Sequence, residues 1–479
     1  MKFLSPIPIF ILLFFIVSCA KDPAITPSID SPPTVDTGAI PYIKVTTDVS
    51  IENEPKVPGD IAIFENQTLQ FSSPIGIEYR GSTSFRLSDK KSYGFETWDE
   101  NDEDVKESIF GFPEEEDWIL NGHVFRASNN TIFDPSLMHH YIGYEFYRSM
   151  GHYASRTKYV ELEVNQQYMG VYMFMEKLKR DGDRIDIEKL SSSDNELPDL
   201  SGGYILKIDK TAGGDVAPDQ PLEYYYDNWA DDARYSEGIS FRSNYDIFGQ
   251  PLTTAPFGPP YHSSQYLETY FLYEYPKSDK ITEAQKNYIQ QYINDFETAL
   301  LADDFSTEER SYTQYIDLDS FVDFFIINEI TGNVDGYRLS TYLHKERGEK
   351  LKMGPIWDLN IGYNRQSRVP FTDWIANYNN HVSQDAWMVP FWWPRLLEDP
   401  VFQQRLKQRW QTFRSGELST ATVLGLVQST ADYLIENGAI ERNYNRWSGI
   451  PVDYLQVISD LKTYLENRLS WMDDQINAF

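Results

Sequence analysis

Residues 317–360 read DLDSFVDFFIINEITGNVDGYRLSTYLHKERGEKLKMGPIWDLN. Asp317 and Asp319 fit the cap of a helix whose apolar positions Leu318, Phe321, Val322, Phe325 and Ile326 recur at helical spacing, with Gly332 as its stop. Asn333-Val334-Asp335-Gly336 then falls in a loop. Leu339–Lys345 and Leu351–Trp357 read as two strands joined by Arg347-Gly348-Glu349, and antiparallel pairing returns the chain to where the hairpin began. Asp335 and Asp358 are thereby expected side by side. Two ionised carboxylates about 4 Å apart, at an effective dielectric near 20, repel by roughly 4 kcal/mol, so the pair calls for a shared proton or a cation. The negative end of the helix dipole at Gly332 favours a cation as well. With Asn333 and Asn360 as neutral oxygen donors, the set is hard and suits Mg²⁺ or Mn²⁺ rather than zinc. The same acids also fit a plainer role as caps and turn residues in solvated loops.

Helical patterns dominate after residue 282: Thr282–Leu301, Leu318–Ile330, Trp393–Phe413, Thr420–Glu436 and Val452–Ile476. Before it, short β-like runs prevail: Tyr42–Thr46, Asp60–Phe64, Ile75–Tyr79, Ser92–Thr97, Tyr159–Val164, Gly170–Met175 and Tyr204–Ile208. One helix interrupts them, expected over Leu137–Met150 behind the start signal Asp134-Pro135-Ser136. Val164 to Tyr168 reads as a tight hairpin turn. Residues 211–262, rich in Gly, Pro, Asp and Tyr, have no clear period and read as an insertion.

The chain of 479 residues carries 42 Lys+Arg against 73 Asp+Glu, a formal charge of −31. That balance excludes a bulk basic footprint for nucleic acid. A hydrophobic fraction of 41%, with 33 Tyr, 28 Phe and 11 Trp, supplies a large core. The single Cys excludes an intramolecular disulfide and a Cys-rich zinc site. At the N-terminus, an apolar run from Ile7 to Val17 is too short for a bilayer-spanning helix, which needs about 20 residues, and reads as a signal peptide over residues 1–18. Ile16-Val17-Ser18-Cys19 resembles a bacterial lipobox, which makes Cys19 the expected lipidation site and the lipid bilayer an expected partner. Residues 19–41, with five prolines among Ser, Thr and Asp, read as a spacer. The expected location is the bacterial cell envelope, lipid-anchored to a membrane.

An ordered set of motifs resembles the CotH kinase family, named for a spore-coat protein. It comprises Tyr79-Arg80-Gly81-Ser82-Thr83-Ser84, Lys90-Lys91-Ser92-Tyr93, Asn165 with Tyr168-Met169-Gly170-Val171-Tyr172, Glu176-Lys177, and Gly202-Gly203-Tyr204-Ile205-Leu206-Lys207. Asn328-Glu329, Asn333-Val334-Asp335-Gly336 and Pro355-Ile356-Trp357-Asp358-Leu359-Asn360 complete it, and Pro390-Phe391-Trp392-Trp393 with Leu396 to Pro400 resembles that family's helical tail. The resemblance spans Tyr42 to Met472. In its light, Trp392 and Trp393, otherwise candidates for a sugar-stacking platform, read as core.

The resemblance implies an α+β fold of atypical protein-kinase-like, two-lobed form, with a sheet-rich N-terminal lobe over 42–262 and a helical C-terminal lobe over 263–479. It implies transfer of the ATP γ-phosphoryl group to Ser or Thr of an exported or surface protein, with Mg²⁺ or Mn²⁺. Asp358, Asp335 and Asn360 would hold the metal. Asp335, helped by Asn333, would orient or deprotonate the acceptor hydroxyl. Arg80 and one of the pair Lys90 and Lys91, which strand alternation would send to opposite faces, would meet phosphate oxygens; Lys207 would be a further nucleotide-binding residue of the cleft, and Glu176 would sit where a hinge meets the adenine. His139 stands where the family usually has an Arg, and His140 follows it. Neighbouring helical residues point about 100° apart, so the two are not expected on one ion. No Walker-type loop occurs. A non-catalytic adhesion or binding module on the same fold, and a carbohydrate-active or sugar-binding lipoprotein, remain alternative readings.

Overall fold

The computed structural model describes residues 29–211, 235–257, 267–363, 367–383, 385 and 387–479. The signal peptide, Cys19 and part of both the spacer and the 211–262 insertion lie outside the described residues. In chain order the first elements are β1 (Tyr42–Thr46), β2 (Val57–Glu65), β3 (Thr68–Arg80), α1 (Thr83–Leu87), β4 (Ser92–Thr97), β5 (Asp117–Asn121), α2 (His139–Ser149), β6 (Thr157–Val164) and β7 (Gln167–Glu176). Then come β8 (Tyr204–Ile208), β9 (Ser240–Arg242), β10 (Tyr270–Tyr275), α3 (Glu283–Leu301), α4 (Leu318–Thr331), β11 (Thr341–Lys345) and β12 (Leu351–Met353). The chain ends with α5 (Trp392–Leu397), α6 (Pro400–Arg414), α7 (Thr420–Glu436), α8 (Ala439–Arg446) and α9 (Tyr454–Asn477). The fold is α+β.

Seven strands close into a barrel in the order β1-β2-β3-β4-β5-β7-β6, sealed by parallel pairing of β1 with β6. Its interior is built by period-two alternation: Ile43 and Val45, Ile61 and Ile63, Ile75 and Ile77, Tyr93 and Phe95, Trp118 and Leu120, Val160 and Leu162, Tyr172 and Phe174 all join one cluster. The β6–β7 hairpin turns at Asn165 and Gln166, both at positive φ, the backbone its tight two-residue turn requires.

A second sheet has the order β9-β10-β8-β11-β12 and draws strands from both sides of residue 262. It and the helices enclose the larger core, with α4 at its centre. Every residue from Ser320 to Thr331 is buried, and the charged ones among them are paired, Asp323 with Arg409 and Glu329 with Arg468. Asp317 caps it by accepting from the Ser320 amide at 2.9 Å, and Gly332 ends it at φ 54°. Trp392 and Trp393 are core residues, 0% and 1% exposed.

Several element boundaries differ from the sequence reading. The run Trp393–Phe413 is two helices, because Pro400 starts α6 afresh with Asp399 as its cap. Helix α2 begins at His139, not Leu137: Leu137 sits at φ 62°, and buried Asp134 reaches forward to accept from the Ser136 and His139 amides. The strand expected over Leu351–Trp357 stops at Met353, so Asp358 lies in a loop. Among the described residues no helix is long and apolar enough to cross a membrane.

Candidate active site

A cleft of about 480 Å³ opens between the barrel and the second sheet. That is the size expected of a small-molecule site. On the barrel side it is lined by the end of β3 with the turn into α1 (Tyr79 to Ser84), by β4 and β5, and by Met175 and Lys177 at the end of β7. Opposite stand Lys207, Asp209 and Lys210 from the end of β8, the loop after α4 from Asp335 to Ser340, and the loop from Trp357 to Ile361. The strongly acidic composition is not repeated here: seven Lys or Arg side chains and eight Asp or Glu line the cleft. Cations are thus concentrated where a polyanion would need them.

Asp335 and Asp358 both line this cleft. The Asp335 side chain is about one-fifth exposed, and its Oδ1 accepts from Arg338 Nη2 at 2.5 Å. Burial is the largest influence on this carboxyl and raises its pKa; Arg338 opposes that shift, and the nearby charge of Asp358 adds to it. Asp358 is more open, at 38%, and sits at φ 53°. Asn360 lines the cleft too, and its carbonyl lies 3.2 Å from Nδ1 of His139. His139 is buried, with Nε2 3.4 Å from Asp134, so it ties the start of α2 to the Asp358 loop.

Of the cationic positions expected here, two are in place. Arg80 lies over the Trp357 ring, 5.7 Å to its centroid, and Lys207 stands 3.6 Å from Glu274 and 3.8 Å from Asp209. Four expected residues do not line the cleft. Lys90 is buried under the barrel, its ammonium donating to the Val171 carbonyl and to Asn443 Oδ1 on α8, so it joins barrel to helix. Lys91 turns the other way and donates to the Phe85 carbonyl at 2.6 Å, holding α1; both lysines precede β4, which starts at Ser92. Glu176 is fully buried against Arg156, Tyr153 and Arg184; its neighbours Met175 and Lys177, not its own side chain, border the cleft. Asn333 lies behind Asp335, accepting from the Asp335 amide at 3.3 Å and facing Asn328.

The structure adds residues that the sequence reading passed over. Arg338 is 1% exposed and, besides Asp335, donates to the carbonyls of Val334 and Trp387 while stacking over Tyr378. Its position three residues after Asp335 was the available signal. Lys210 donates to Thr83 at 2.8 Å and lies over Trp387, bridging the two walls. Asp385, which accepts from Tyr378 at 2.7 Å, sits in a loop without a pattern that could have pointed to it.

The family model described as CotH kinase protein matches residues 77–472. The chain belongs to the CotH kinase family. The match contains the cleft lining from Glu78 onward, Asn53, Glu54 and Lys56 lying before it, and every motif quoted above from Tyr79 onward. No curated protein matches the chain. In this CotH kinase family member the Asn328-Glu329 motif is structural: Glu329, fully buried, pairs with Arg468 of α9 at 2.8 Å and accepts from the Ile375 and Ala376 amides.

The donor set fits a hard divalent ion. Such an ion in a phosphoryl-transfer site needs one or two carboxylates, with substrate phosphates and water completing its shell. Asp358, Asp335 and Asn360 offer that from one wall. Among the described residues, the acidic triad Glu115, Glu116 and Asp117 is the one compact cluster of three metal-type side chains. The Lys179 ammonium already fills it, 2.8–2.9 Å from all three.

Proposed function

We propose that this protein is a metal-dependent, atypical protein kinase that transfers the ATP γ-phosphoryl group to Ser or Thr of an envelope or exported protein. The observation that carries the reading is the presence of Asp335 and Asp358 on one wall of a cleft, with Lys207 and Lys210 on the same wall and Arg80 facing them from the barrel, in a chain of the CotH kinase family. We read the barrel and the helical part as the two lobes of a kinase-like fold, with the nucleotide between them.

Asp358, with Asn360 beside it, would hold Mg²⁺ or Mn²⁺, which when bound neutralises phosphate charge. Arg80 and Lys207 would meet phosphate oxygens, Arg as a planar fork and Lys as a point charge. Asp335 would accept the proton of the attacking hydroxyl. Arg338 fixes the Asp335 carboxylate from behind, which limits the conformations it samples and suits an orienting role. The lipobox-like sequence at Cys19 supports display on a membrane surface.

The test is incubation of the purified protein with labelled ATP and Mg²⁺ or Mn²⁺. Autophosphorylation that is abolished in both Asp335→Ala and Asp358→Ala supports the reading. Label that persists in both variants, or that the wild type never acquires with any exported protein as acceptor, removes it.

A further inference from the structure

The metal set described above consists of oxygen donors, but a nitrogen donor stands beside it. His140, on the first turn of α2, is 6% exposed and lines the cleft, and its Nε2 lies 3.6 Å from Oδ1 of Asp358. Its Nδ1 is buried with no hydrogen-bond partner among the described residues. The ring meets Tyr144 edge-on at 5.9 Å.

A separation of 3.6 Å is too long for a hydrogen bond. It is close to the spacing of two donors on one ion: with metal–donor distances of about 2.0–2.2 Å, adjacent ligands stand roughly 3.0–3.6 Å apart in octahedral or tetrahedral arrangements. The nitrogen that faces Asp358 is Nε2, on a side chain only 6% exposed, which leaves its lone pair few groups to meet other than what the cleft holds. The adjacent His139 cannot supply the same donor. Its Nδ1 is turned to the Asn360 carbonyl and its Nε2 to Asp134, so of the two histidines only His140 faces the carboxylate of Asp358.

We propose that His140 Nε2 is a ligand, together with Asp358, of the cleft's divalent ion. The site then takes a transition-metal divalent cation, Mn²⁺ in the first instance, in preference to Mg²⁺. Mg²⁺ is bound almost wholly by oxygen, whereas imidazole suits the first-row transition metals. This inference rests on the assignment of Asp358 to the metal made above, but not on the identity of the reaction.

The experiment uses the full chain and Mn²⁺ alone, without nucleotide, so that no adenine nitrogen contributes. Pulsed electron paramagnetic resonance is expected to show nitrogen modulation from an imidazole on the bound Mn²⁺ in the wild type. His140→Gln removes it, and Asp358→Asn removes the bound ion. In competition titrations, the preference for Mn²⁺ over Mg²⁺ falls in His140→Gln by about 10-fold or more, the scale of losses at a metal's supporting groups. Circular dichroism confirms that the variant is folded, and the wild-type spectrum stands without any variant. Mn²⁺ bound with no nitrogen modulation, or an unchanged metal preference in folded His140→Gln, overturns the inference while leaving an oxygen-only metal site and the kinase reading intact. Nitrogen modulation in a protein that never transfers phosphate supports the inference and removes the kinase reading instead.

Discussion

Arg338 reaches two of the acids that line the cleft: one terminal nitrogen lies 2.5 Å from Asp335 and the other 3.4 Å from Asp385. With Arg338 almost wholly buried, the arrangement fixes where the Asp335 carboxylate can point. Arg338→Ala leaves Asp335 without its ion-pair partner, while Asp385 keeps Arg368 at 3.5 Å. It should destabilise the protein by roughly 3–5 kcal/mol and lower phosphotransfer by about 100-fold or more, the scale of a misplaced catalytic group. Arg338→Lys keeps the charge but loses the fork, and should recover stability better than activity. Urea unfolding beside initial rates separates the two effects.

Gly336 allows the loop that carries Asp335 to close against α4. A Cβ at this position would stand 2.2 Å from Asn328 Oδ1 and 3.0 Å from the Asn333 carbonyl. Gly336→Ala must therefore push apart the Asn328–Asn333 contact behind Asp335. A loss of about 1–3 kcal/mol, typical of overpacking, is expected together with lower activity. An unchanged melting temperature and rate would show that the loop is not held in this way.

Glu329 and Arg468 join α4 to α9 through a fully buried pair. Arg468 also donates to the carbonyls of Phe371 and Asp373. Arg468→Met removes the cation while Glu329 stays buried, which should destabilise by roughly 3–5 kcal/mol. The double variant Glu329→Gln with Arg468→Met should recover part of that loss. Denaturant titration of the four proteins in the cycle measures the coupling.

Glu297 on α3 is buried beside Ser243 and Trp392, which donate to its two oxygens. Burial pushes its carboxyl up to about 7 despite those two bonds. The native state therefore holds a proton that the unfolded chain releases near the ordinary value of 4.5. Between these values the native state binds more protons, so this contribution is full below pH 4.5 and is lost as pH rises through 7. The slope is at most about 1.4 kcal/mol per pH unit. Glu297→Gln should remove it, making the variant gain on the wild type between pH 5 and pH 8. Parallel stability curves across that range would contradict the assignment.

The parts of the fold that could be read in the sequence are those with a local period. Ile61 and Ile63, or Ile75 and Ile77, alternate because one face of each strand fills the barrel. Asp317 and Gly332 bracket α4 because capping is a local event. Barrel closure through β1 and β6 is not local, since the partners lie more than a hundred residues apart. Strands β5 and β10 are buried as continuous runs, Trp118-Ile119-Leu120 and Phe271-Leu272-Tyr273, and carry no alternation to detect. At the site, the hairpin from Thr341 to Met353 brings Asp335 and Asp358 to one cleft, a consequence of antiparallel return. The misplacement of Lys90 and Glu176 has a different origin. Both lie in motifs that border the cleft, but their side chains serve the contacts of the barrel with α8 and with Arg156.

On the proposed function, Asp335 and Asp358 serve a metal-assisted nucleotide site, and the decisive measurement is calorimetric titration of ATP into the full chain with and without Mg²⁺ or Mn²⁺. Binding is expected to strengthen at least tenfold with the metal and to lose that enhancement in Asp358→Ala. ATP affinity that is absent, or equal with and without metal in both proteins, would contradict it.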